Sequence, residues 1–242
     1  MTRPKTTSKS TTTRKSRPLG CVAFVGAGPG DPELLTVRAV ELLAKADVVV
    51  TESQDADFVR RFCRDDVEVV DGSLGDDGQP LSHAVRARLV VKAAKSGGSV
   101  VRLLDGDPFL YATGSEEAVG CAKAGIPFEV VPGVSSITAV PAYAGIPLTS
   151  AKHREVRVVN VAEGIRSSAD WSSIAAGTAT LVLLSATQVI GDVAVCSTGL
   201  LVVSDTTASA AGLRVYQDLH ETTTAALPVG LKPLSSHGIV CY

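Results

Sequence analysis

The sequence of 242 residues is poor in aromatic side chains and lacks cysteine pairs and long apolar runs. Aromatics make up only 4%, which argues against a protein that stacks nucleic acid bases on rings. The five cysteines form no CxxC pair, so they predict neither a disulfide framework nor a metal site. No apolar run approaches ~18 residues, the length of a membrane span. With no apolar segment typical of a signal peptide, we expect a cytoplasmic protein with reduced thiols.

Positive charge is concentrated at the start of the chain. Residues 1–17 contain six lysines and arginines and no acid, whereas the rest has 17 basic and 25 acidic residues. The acidic body predicts no nucleic acid partner and no membrane surface. We predict that residues 1–18 are a disordered basic tail. An organelle transit peptide is the alternative interpretation of this segment.

Short apolar runs alternate with helical patterns over residues 19–149, which predicts a first α/β domain. Hydrophobic residues make up 45% of the chain, enough for a core that must be mainly aliphatic. The alternation indicates a parallel five-stranded sheet covered on both faces. The predicted strands lie near 21–25, 48–50, 67–70, 100–104 and 128–131, and the predicted helices near 34–46, 81–95 and 115–124.

The pattern breaks at Thr149–Arg154 and then resumes, which predicts a second, smaller α/β domain over residues 150–242. Its predicted elements are strands at 156–161 and 180–184 and a helix near 170–176. Beyond about residue 193 the pattern weakens. A strand is expected at 200–203, but 235–242 carries no helix or strand signal. We therefore expect this last segment to be atypical or incomplete, and loosely packed.

Small and acidic residues follow four predicted strands, at the edge where parallel sheets bind ligands. Gly26 and Gly28 resemble the start of a dinucleotide fingerprint, but Asp31 stands where its third glycine belongs. Asp31 fits better as an N-cap before Pro32, so dinucleotide-dependent oxidoreduction is the weaker hypothesis. The loop Asp105–Phe109 fits a turn, a magnesium site or recognition of an amino-bearing cation.

Other catalytic patterns are missing or ambiguous. The four histidines form no HExxH pair, and no serine lies in a GxSxG turn, so hydrolase chemistry is unsupported. Lys152 and Arg154 flank His153 in a basic segment. This segment fits either a solvated loop or a clamp for the carboxylates of an anionic substrate.

Taken together, these loops resemble the signatures of the tetrapyrrole methylases. The first match is Val25-Gly-Ala-Gly-Pro-Gly-Asp-Pro-Glu-Leu-Leu-Thr36, and the second is Gly106-Asp-Pro-Phe109 followed by Gly114 and Glu116-Glu117. The third runs from Ala124 through Pro132-Gly133 to Ser136. The segment Pro141-Ala-Tyr-Ala-Gly-Ile-Pro-Leu-Thr149 resembles the uroporphyrinogen-III C-methyltransferase branch. In some actinobacterial-type fusions such a module precedes a uroporphyrinogen-III synthase.

The resemblance implies a two-domain tetrapyrrole methylase fold, a homodimer and S-adenosylmethionine as cofactor. It implies methylation of uroporphyrinogen III at C2 and C7 to precorrin-2, on the route to sirohaem and cobalamin. The alternatives are a methylase acting on another precorrin, or an inactive chain. The resemblance implies a general base at Glu52 and a cofactor site at Pro29, Asp105, Gly106, Asp107, Leu110, Ser135, Ser136 and Ser185. We expect the substrate to contact Gly28, Asp31, Lys152 and Arg154.

The chain departs from the family pattern at several positions. Glu52 stands where the family has an aspartate, and Asp105 stands where the family commonly has a glycine. The family's Gly-Lys-Arg, which contains a lysine proposed as proton donor, has no counterpart around 70–77. The family's Tyr-Met-Gly becomes Leu184-Ser185-Ala186. The activity of this chain therefore depends on how its own residues are arranged.

Overall fold

The first sheet is fully parallel. The structure is a computed structural model that describes residues 20–52, 56–75, 77–143, 145–151, 153–162, 169–175, 179–185, 201–204, 214–216 and 239–241. The strands of this sheet are β1 (Cys21–Gly26), β2 (Val48–Thr51), β3 (Glu68–Asp71), β4 (Ser99–Leu104) and β5 (Phe128–Val131). Their order is β3-β2-β4-β1-β5, and every pairing is parallel. The predicted α/β class with a parallel first sheet is confirmed.

Helices follow these strands as α1 (Val37–Leu43), α2 (Ala56–Phe62), α3 (His83–Lys95) and α4 (Gly114–Lys123). The predicted helix at 34–46 is shorter than expected because two caps divide it. Asp31 caps a 3-10 turn at Pro32–Leu34, and Thr36 caps α1 by accepting from the backbone N–H of Ala39 at 3.1 Å. Helix α2 was not predicted, since seven residues are too few to show a periodic pattern.

Both faces of the first sheet are covered by apolar side chains, as the sequence predicts. Successive residues of a strand point to opposite faces. Phe24 and Val50 therefore join the cluster formed with α3 and α4, whereas Val25 and Val49 join the cluster formed with α1. With two covered faces, the places open to a ligand lie at the strand ends.

The second sheet contains β6 (Val156–Asn160), β7 (Thr180–Leu184), β8 (Leu201–Ser204), β9 (Arg214–Tyr216) and β10 (Ile239–Cys241). Its order is β6-β7-β8-β10-β9, parallel except for the antiparallel β9. Helices α5 (Ser136–Tyr143) and α6 (Trp171–Ala175) belong to this half of the chain. The segment 235–242, expected to lack a strand, contains β10. A three-residue strand gives no pattern in sequence, since its pairing with β8 and β9 defines it.

Helix α5 was also missed in sequence, because Pro141 lies inside it and proline usually ends a helix. Most residues beyond 193 lie outside the described part of the chain, so the expected loose packing there stays a prediction. The domain boundary at 149/150 stays a proposal as well. Within the described residues, no helix has the length and hydropathy needed to cross a membrane.

Candidate active site

Three loops that follow β1, β4 and β5 meet through glycine backbones. Gly28 and Gly106 exchange backbone hydrogen bonds, with N···O distances of 3.2 Å and 2.8 Å. A Cβ atom on Gly26 would lie 2.5 Å from both the Gly106 carbonyl oxygen and the Gly133 Cα. Only glycine allows so close an approach. We call Gly26, Gly106 and Gly133 the glycine cradle, a surface without side chains at the carboxyl edge of the sheet.

Glu52 follows β2 at the same edge and is held by two arginines. One carboxylate oxygen accepts a short hydrogen bond from Nη2 of Arg102, and the other lies 2.9 Å from Nη2 of Arg86. The Nε of Arg86 donates to the carbonyl oxygen of Gly72 at 2.9 Å, which fixes that guanidinium. The side chain of Glu52 is one-third exposed. Both of its oxygens therefore have a guanidinium partner.

Arg102 is fully buried within β4, and a second carboxylate compensates its charge. Its Nε and Nη2 donate to the two oxygens of Glu117 at 2.7 Å and 2.9 Å, and its Nη1 donates to the carbonyl oxygen of Leu103. Burial lowers the pKa of Arg102, but Glu117 and then Glu52 more than offset this effect, so the net pKa is raised. Our sequence reasoning missed this network, although an arginine within a buried strand was the available signal.

Asp107 connects two of the cradle loops. One carboxylate oxygen accepts from the backbone N–H of Phe109 at 2.9 Å, and the other accepts from the N–H of Gly133 at 3.2 Å. The first contact confirms the predicted turn after β4. The second joins this turn to the loop after β5, so Asp107 shapes the cradle through its side chain.

Asp105 differs from the other acids at this edge. Its side chain is exposed, and it makes no hydrogen bond or ion pair with the described part of the chain. Nearby protein atoms nevertheless reduce the hydration of its carboxyl group. This desolvation raises the pKa of the Asp105 carboxyl, the nearby charge of Glu52 raises it further, and Arg102 partly opposes both. The side chain is thus an accessible carboxylate that lacks a fixed partner among the described residues.

Asp31 links the first loop to α5. One oxygen accepts from the backbone N–H of Glu33 at 2.9 Å, and the other accepts from the hydroxyl of Tyr143 at 2.8 Å. These hydrogen bonds lower the pKa of the Asp31 carboxyl. The predicted N-cap is confirmed, although it caps a 3-10 turn. The glycines therefore do not lead directly into an α-helix whose N-terminus could bind a pyrophosphate, as a dinucleotide fingerprint requires.

The remaining predicted residues are divided between the cradle and the second sheet. Gly28 and Pro29 lie in the first loop, and the side chain of Leu110 is 45% exposed beyond Asp107. The Cα of Ser135 lies 3.8 Å from the Cβ position of Gly106. The hydroxyl of Ser135 accepts from the N–H of Ile137 at 3.2 Å, and Ser136 begins α5.

Two predicted site residues in the second half of the chain, Ser185 and Arg154, have no described interaction with the cradle. Ser185 follows β7 with φ 57°, a left-handed conformation that is uncommon for serine. Arg154 is exposed, and its Nε donates to the carbonyl oxygen of Ala151 at 3.4 Å. Lys152 lies outside the described residues. The roles of these residues stay predictions.

A tyrosine that the sequence did not reveal joins the cradle loops to the second sheet. Tyr111 has φ 55°, and its hydroxyl donates to the carbonyl oxygen of Val158 at 2.9 Å. Backbone strain of this kind is found most often at functional sites. Helix α5 packs against the same sheet, because Ile137 and Val140 share a cluster with Val182 and Leu184. The second sheet therefore borders the cradle.

The cradle offers backbone N–H and carbonyl groups together with the carboxylate of Asp105, which has no partner among the residues that the structure describes. Such a set suits a small ligand that carries a positive charge and an amino group, since carboxylate and carbonyl oxygens accept from cationic donors. No cluster of three metal-ligating side chains occurs among the described residues. Of the three interpretations of the loop after β4, the turn is confirmed, and recognition of a cation is the ligand hypothesis that the geometry favours.

Comparison with known proteins places these features in a family. The sequence model described as Tetrapyrrole (Corrin/Porphyrin) Methylases matches residues 21–195. The uroporphyrinogen-III C-methyltransferase of Bacillus subtilis is 37% identical over 171 residues, which are 68% of this chain and 65% of that protein. The siroheme synthase of Photorhabdus laumondii is 38% identical over 170 residues, which are 69% of this chain and 36% of that protein. The chain thus spans about a third of the length of the siroheme synthase.

Solved structures of tetrapyrrole methylases are similar to this chain. A uroporphyrin-III C-methyltransferase from Thermus thermophilus, crystallised with S-adenosylhomocysteine, is 34% identical with a TM-score of 0.58, covering 72% of this chain and 70% of that one. A cobalt precorrin-4 methyltransferase is 28% identical with a TM-score of 0.62, covering 72% of each chain. The two-domain α/β fold expected from the sequence is therefore similar to that of solved tetrapyrrole methylases.

Proposed function

The chain belongs to the tetrapyrrole methylase family, and from this membership we propose that it methylates uroporphyrinogen III with S-adenosylmethionine. The specific reaction would be methylation at C2 and C7, giving precorrin-2. The similar Bacillus and Thermus proteins are named for C-methylation of this substrate class, and the Thermus structure contains S-adenosylhomocysteine. The observation that carries the proposal is the glycine cradle, which lies at the carboxyl edge of a parallel sheet beside the exposed carboxylate of Asp105.

The residues of the cradle fit this cofactor. Its sulfonium and amino groups are cationic, and Asp105 supplies negative charge without a competing protein partner among the described residues. The absence of Cβ atoms at Gly26, Gly106 and Gly133 exposes backbone groups for hydrogen bonding. When bound, S-adenosylmethionine supplies an activated methyl group. We propose that it is held by Pro29, Asp105, Gly106, Asp107, Leu110, Ser135, Ser136 and Ser185.

The protein's contribution is to orient the acceptor and to handle a proton. Fixing two reactants in the right geometry accounts for much of a transfer reaction's acceleration. Transfer of the methyl group to a ring carbon leaves a positive charge on the macrocycle. A C–H proton must later depart to remove this charge, and a positioned carboxylate can take it. Glu52 is the base predicted from the sequence. Because both of its oxygens contact arginines, this role requires one of those contacts to open.

Recognition of the substrate and assembly of the protein are part of the same proposal. Uroporphyrinogen III carries carboxylates, which Lys152 and Arg154 could clamp through charge-assisted hydrogen bonds. Gly28 and Asp31 are proposed contacts from the first loop. The family resemblance also supports a homodimer, which light scattering of the purified chain would detect directly.

The experiment is a product assay under anaerobic conditions. The purified chain is mixed with uroporphyrinogen III and S-adenosylmethionine, and products are identified by mass spectrometry after oxidation. We expect a species that carries two additional methyl groups. Recovery of unmodified substrate would contradict the proposal and would favour an inactive chain. Methylation of another precorrin only would place the chain in a different branch of the family.

Calorimetric titration distinguishes a methyltransferase from a dinucleotide-dependent oxidoreductase. S-adenosylhomocysteine should bind, and NAD should not, because Asp31 fills the place of the third fingerprint glycine and caps a 3-10 turn. Binding of NAD without binding of S-adenosylhomocysteine would reverse the assignment.

A further inference from the structure

The carboxylates at the cradle edge differ in their protein contacts, and one of them has no hydrogen bond or ion pair with the described part of the chain. Asp31 accepts from Glu33 and Tyr143, and Asp107 accepts from Phe109 and Gly133. Glu52 is held by two guanidinium groups. A carboxylate whose lone pairs already accept hydrogen bonds is a poor proton acceptor, because those contacts stabilise its charged form. Asp105 is the edge carboxylate without such contacts in the described part of the chain.

We propose that Asp105 is the carboxylate that takes the proton from the methylated macrocycle, a role that rests on the proposed function. It directly follows the central strand β4 and precedes Gly106, whose backbone pairs with Gly28 across the cradle. Its side chain is exposed at the place where the loops converge. It can thus meet a substrate without breaking any described interaction, whereas Glu52 would first have to leave an arginine.

The proton transfer is balanced as follows. After the methyl group has joined the ring carbon, a C–H bond of the macrocycle breaks. Its electron pair stays on the macrocycle, neutralises the positive charge created by methylation and restores conjugation. The proton forms an O–H bond with the carboxylate of Asp105, which later releases it to water. No oxidant or reductant is needed.

The environment of Asp105 suits this task. Burial and the charge of Glu52 raise the pKa of the Asp105 carboxyl, which makes it a stronger base than an ordinary surface aspartate. Arg102 acts in the opposite direction, but Glu117 and Glu52 compensate its charge. Arg86 contacts Glu52 from α3 and is a further charge near this position in the described part of the chain. The arginine network has, on this account, a positioning role: it occupies Glu52 and leaves Asp105 available.

The test compares Asp105→Asn, Glu52→Gln and Asp65→Asn. The last variant is the matched control, since Asp65 is an exposed acid in the connection between α2 and β3. Asp105→Asn should lower kcat by about 100-fold or more, the scale of a lost general base. Because Asp105 is also a proposed cofactor contact, the affinity of this variant for S-adenosylhomocysteine, measured by calorimetry, should fall, but by a smaller factor than kcat. Asp105→Glu should recover part of the activity, and Asp65→Asn should equal wild type.

A second measurement does not depend on activity. In protein labelled with ¹³C at aspartate carboxyl groups, the signal that disappears in Asp105→Asn should titrate with a pKa above the ordinary aspartate value. Full activity of Asp105→Asn, or loss of cofactor affinity without loss of kcat, would overturn the assignment while leaving the methylation itself established. Loss of kcat in Glu52→Gln alone would return the role to Glu52. A wild-type chain that forms no methylated product would overturn the proposed function instead.

Discussion

The two sheets of this protein are supported in different ways. In the first sheet, β1, β2 and β4 lie between two buried clusters, each of which contains eleven buried residues from strands and helices. In the second sheet, the described cluster contains four buried residues: Val182 and Leu184 of β7, and Ile137 and Val140 of α5. Strand β7 is buried, whereas the neighbouring β6 is partly exposed along its length.

Two described contacts connect the second sheet to the first. Helix α5, which covers β7, begins directly after the cradle loop that contains Gly133. The hydrogen bond of Tyr111 to Val158 is a second connection from the same edge. The cradle loops therefore have two functions, since they form the proposed cofactor site and also anchor the second sheet. Changes in the cradle loops should therefore affect both sheets.

The largest effect is expected from breaking the buried ion pair of the first sheet. Glu117→Ala leaves the Arg102 guanidinium buried without its main partner, which should lower the free energy of unfolding by about 3–5 kcal/mol. Urea denaturation measures this change. Glu116→Ala is the control, because the neighbouring Glu116 is exposed and should change stability little. Equal losses in the two variants would show that the pair does not stabilise the first sheet.

A pair of leucine truncations tests the contrast directly. Leu103→Ala creates a cavity within the first sheet and should cost about 2–5 kcal/mol of unfolding free energy. Leu184→Ala removes the same atoms at the last residue of β7, where the end of the strand can relax more easily, so its cost should lie toward the lower end of that range. Unfolding curves of both variants provide the comparison. A greater loss for Leu184→Ala would reverse the order of stability proposed for the two sheets.

Tyr111→Phe tests the connection between the sheets. It removes one hydrogen bond to Val158, so the expected loss of unfolding free energy is about 0.5–1.5 kcal/mol. Thermal unfolding monitored by circular dichroism measures it. Tyr111→Gly serves as a companion variant, because it removes the whole side chain but also relieves the strain of the positive φ. If Tyr111→Phe leaves stability unchanged, the hydroxyl does not anchor β6.

The smallest effect concerns the pH dependence contributed by Asp105. Its pKa is raised in the folded chain, so the folded state holds the proton at pH values where the unfolded state has released it. This group therefore lowers stability progressively as pH rises from the unfolded pKa, about 3.9, up to its folded pKa. Asp105→Asn should be more stable than wild type above this window and equal to it below. Urea titrations across this pH range would contradict the account if wild type were the more stable protein at neutral pH.

The sequence predicted the first sheet well because β1, β2 and β4 are buried, mainly apolar runs that alternate with helical patterns. It also placed Gly28, Gly106 and Gly133 at one edge, since parallel strands end together. It did not reveal the pairing of Arg102 with Glu52 and Glu117, which lie 50 and 15 residues away in the chain. Contacts of this kind depend on which strands become neighbours, and local pattern does not report that order.

The same limit explains why the sequence did not separate the roles of Asp105 and Asp107 and did not predict α5 or β10. In the sequence, Asp105 and Asp107 are equivalent neighbours of Gly106, but only Asp107 reaches the backbone N–H of Gly133. Helix α5 was hidden by Pro141, and β10 by its length of three residues. Tertiary contacts define all of these features. The sequence shows that an aspartate stands at position 105. Only the structure shows that the other carboxylates at this edge already have partners.

The central claim is that the glycine cradle binds S-adenosylmethionine. Calorimetric titration with S-adenosylhomocysteine of wild type, Gly133→Ala and Gly120→Ala tests it most directly. Both substitutions crowd a close contact. A Cβ on Gly133 would lie 2.7 Å from the Cα of Gly26, and one on Gly120 would lie 2.9 Å from the Cβ of Ala87, which belongs to α3 and not to a cradle loop. We expect wild type and Gly120→Ala to bind alike, and Gly133→Ala to bind at least about tenfold more weakly, a difference of about 1.4 kcal/mol. Equal affinity of all three, or no binding by wild type, would contradict the account.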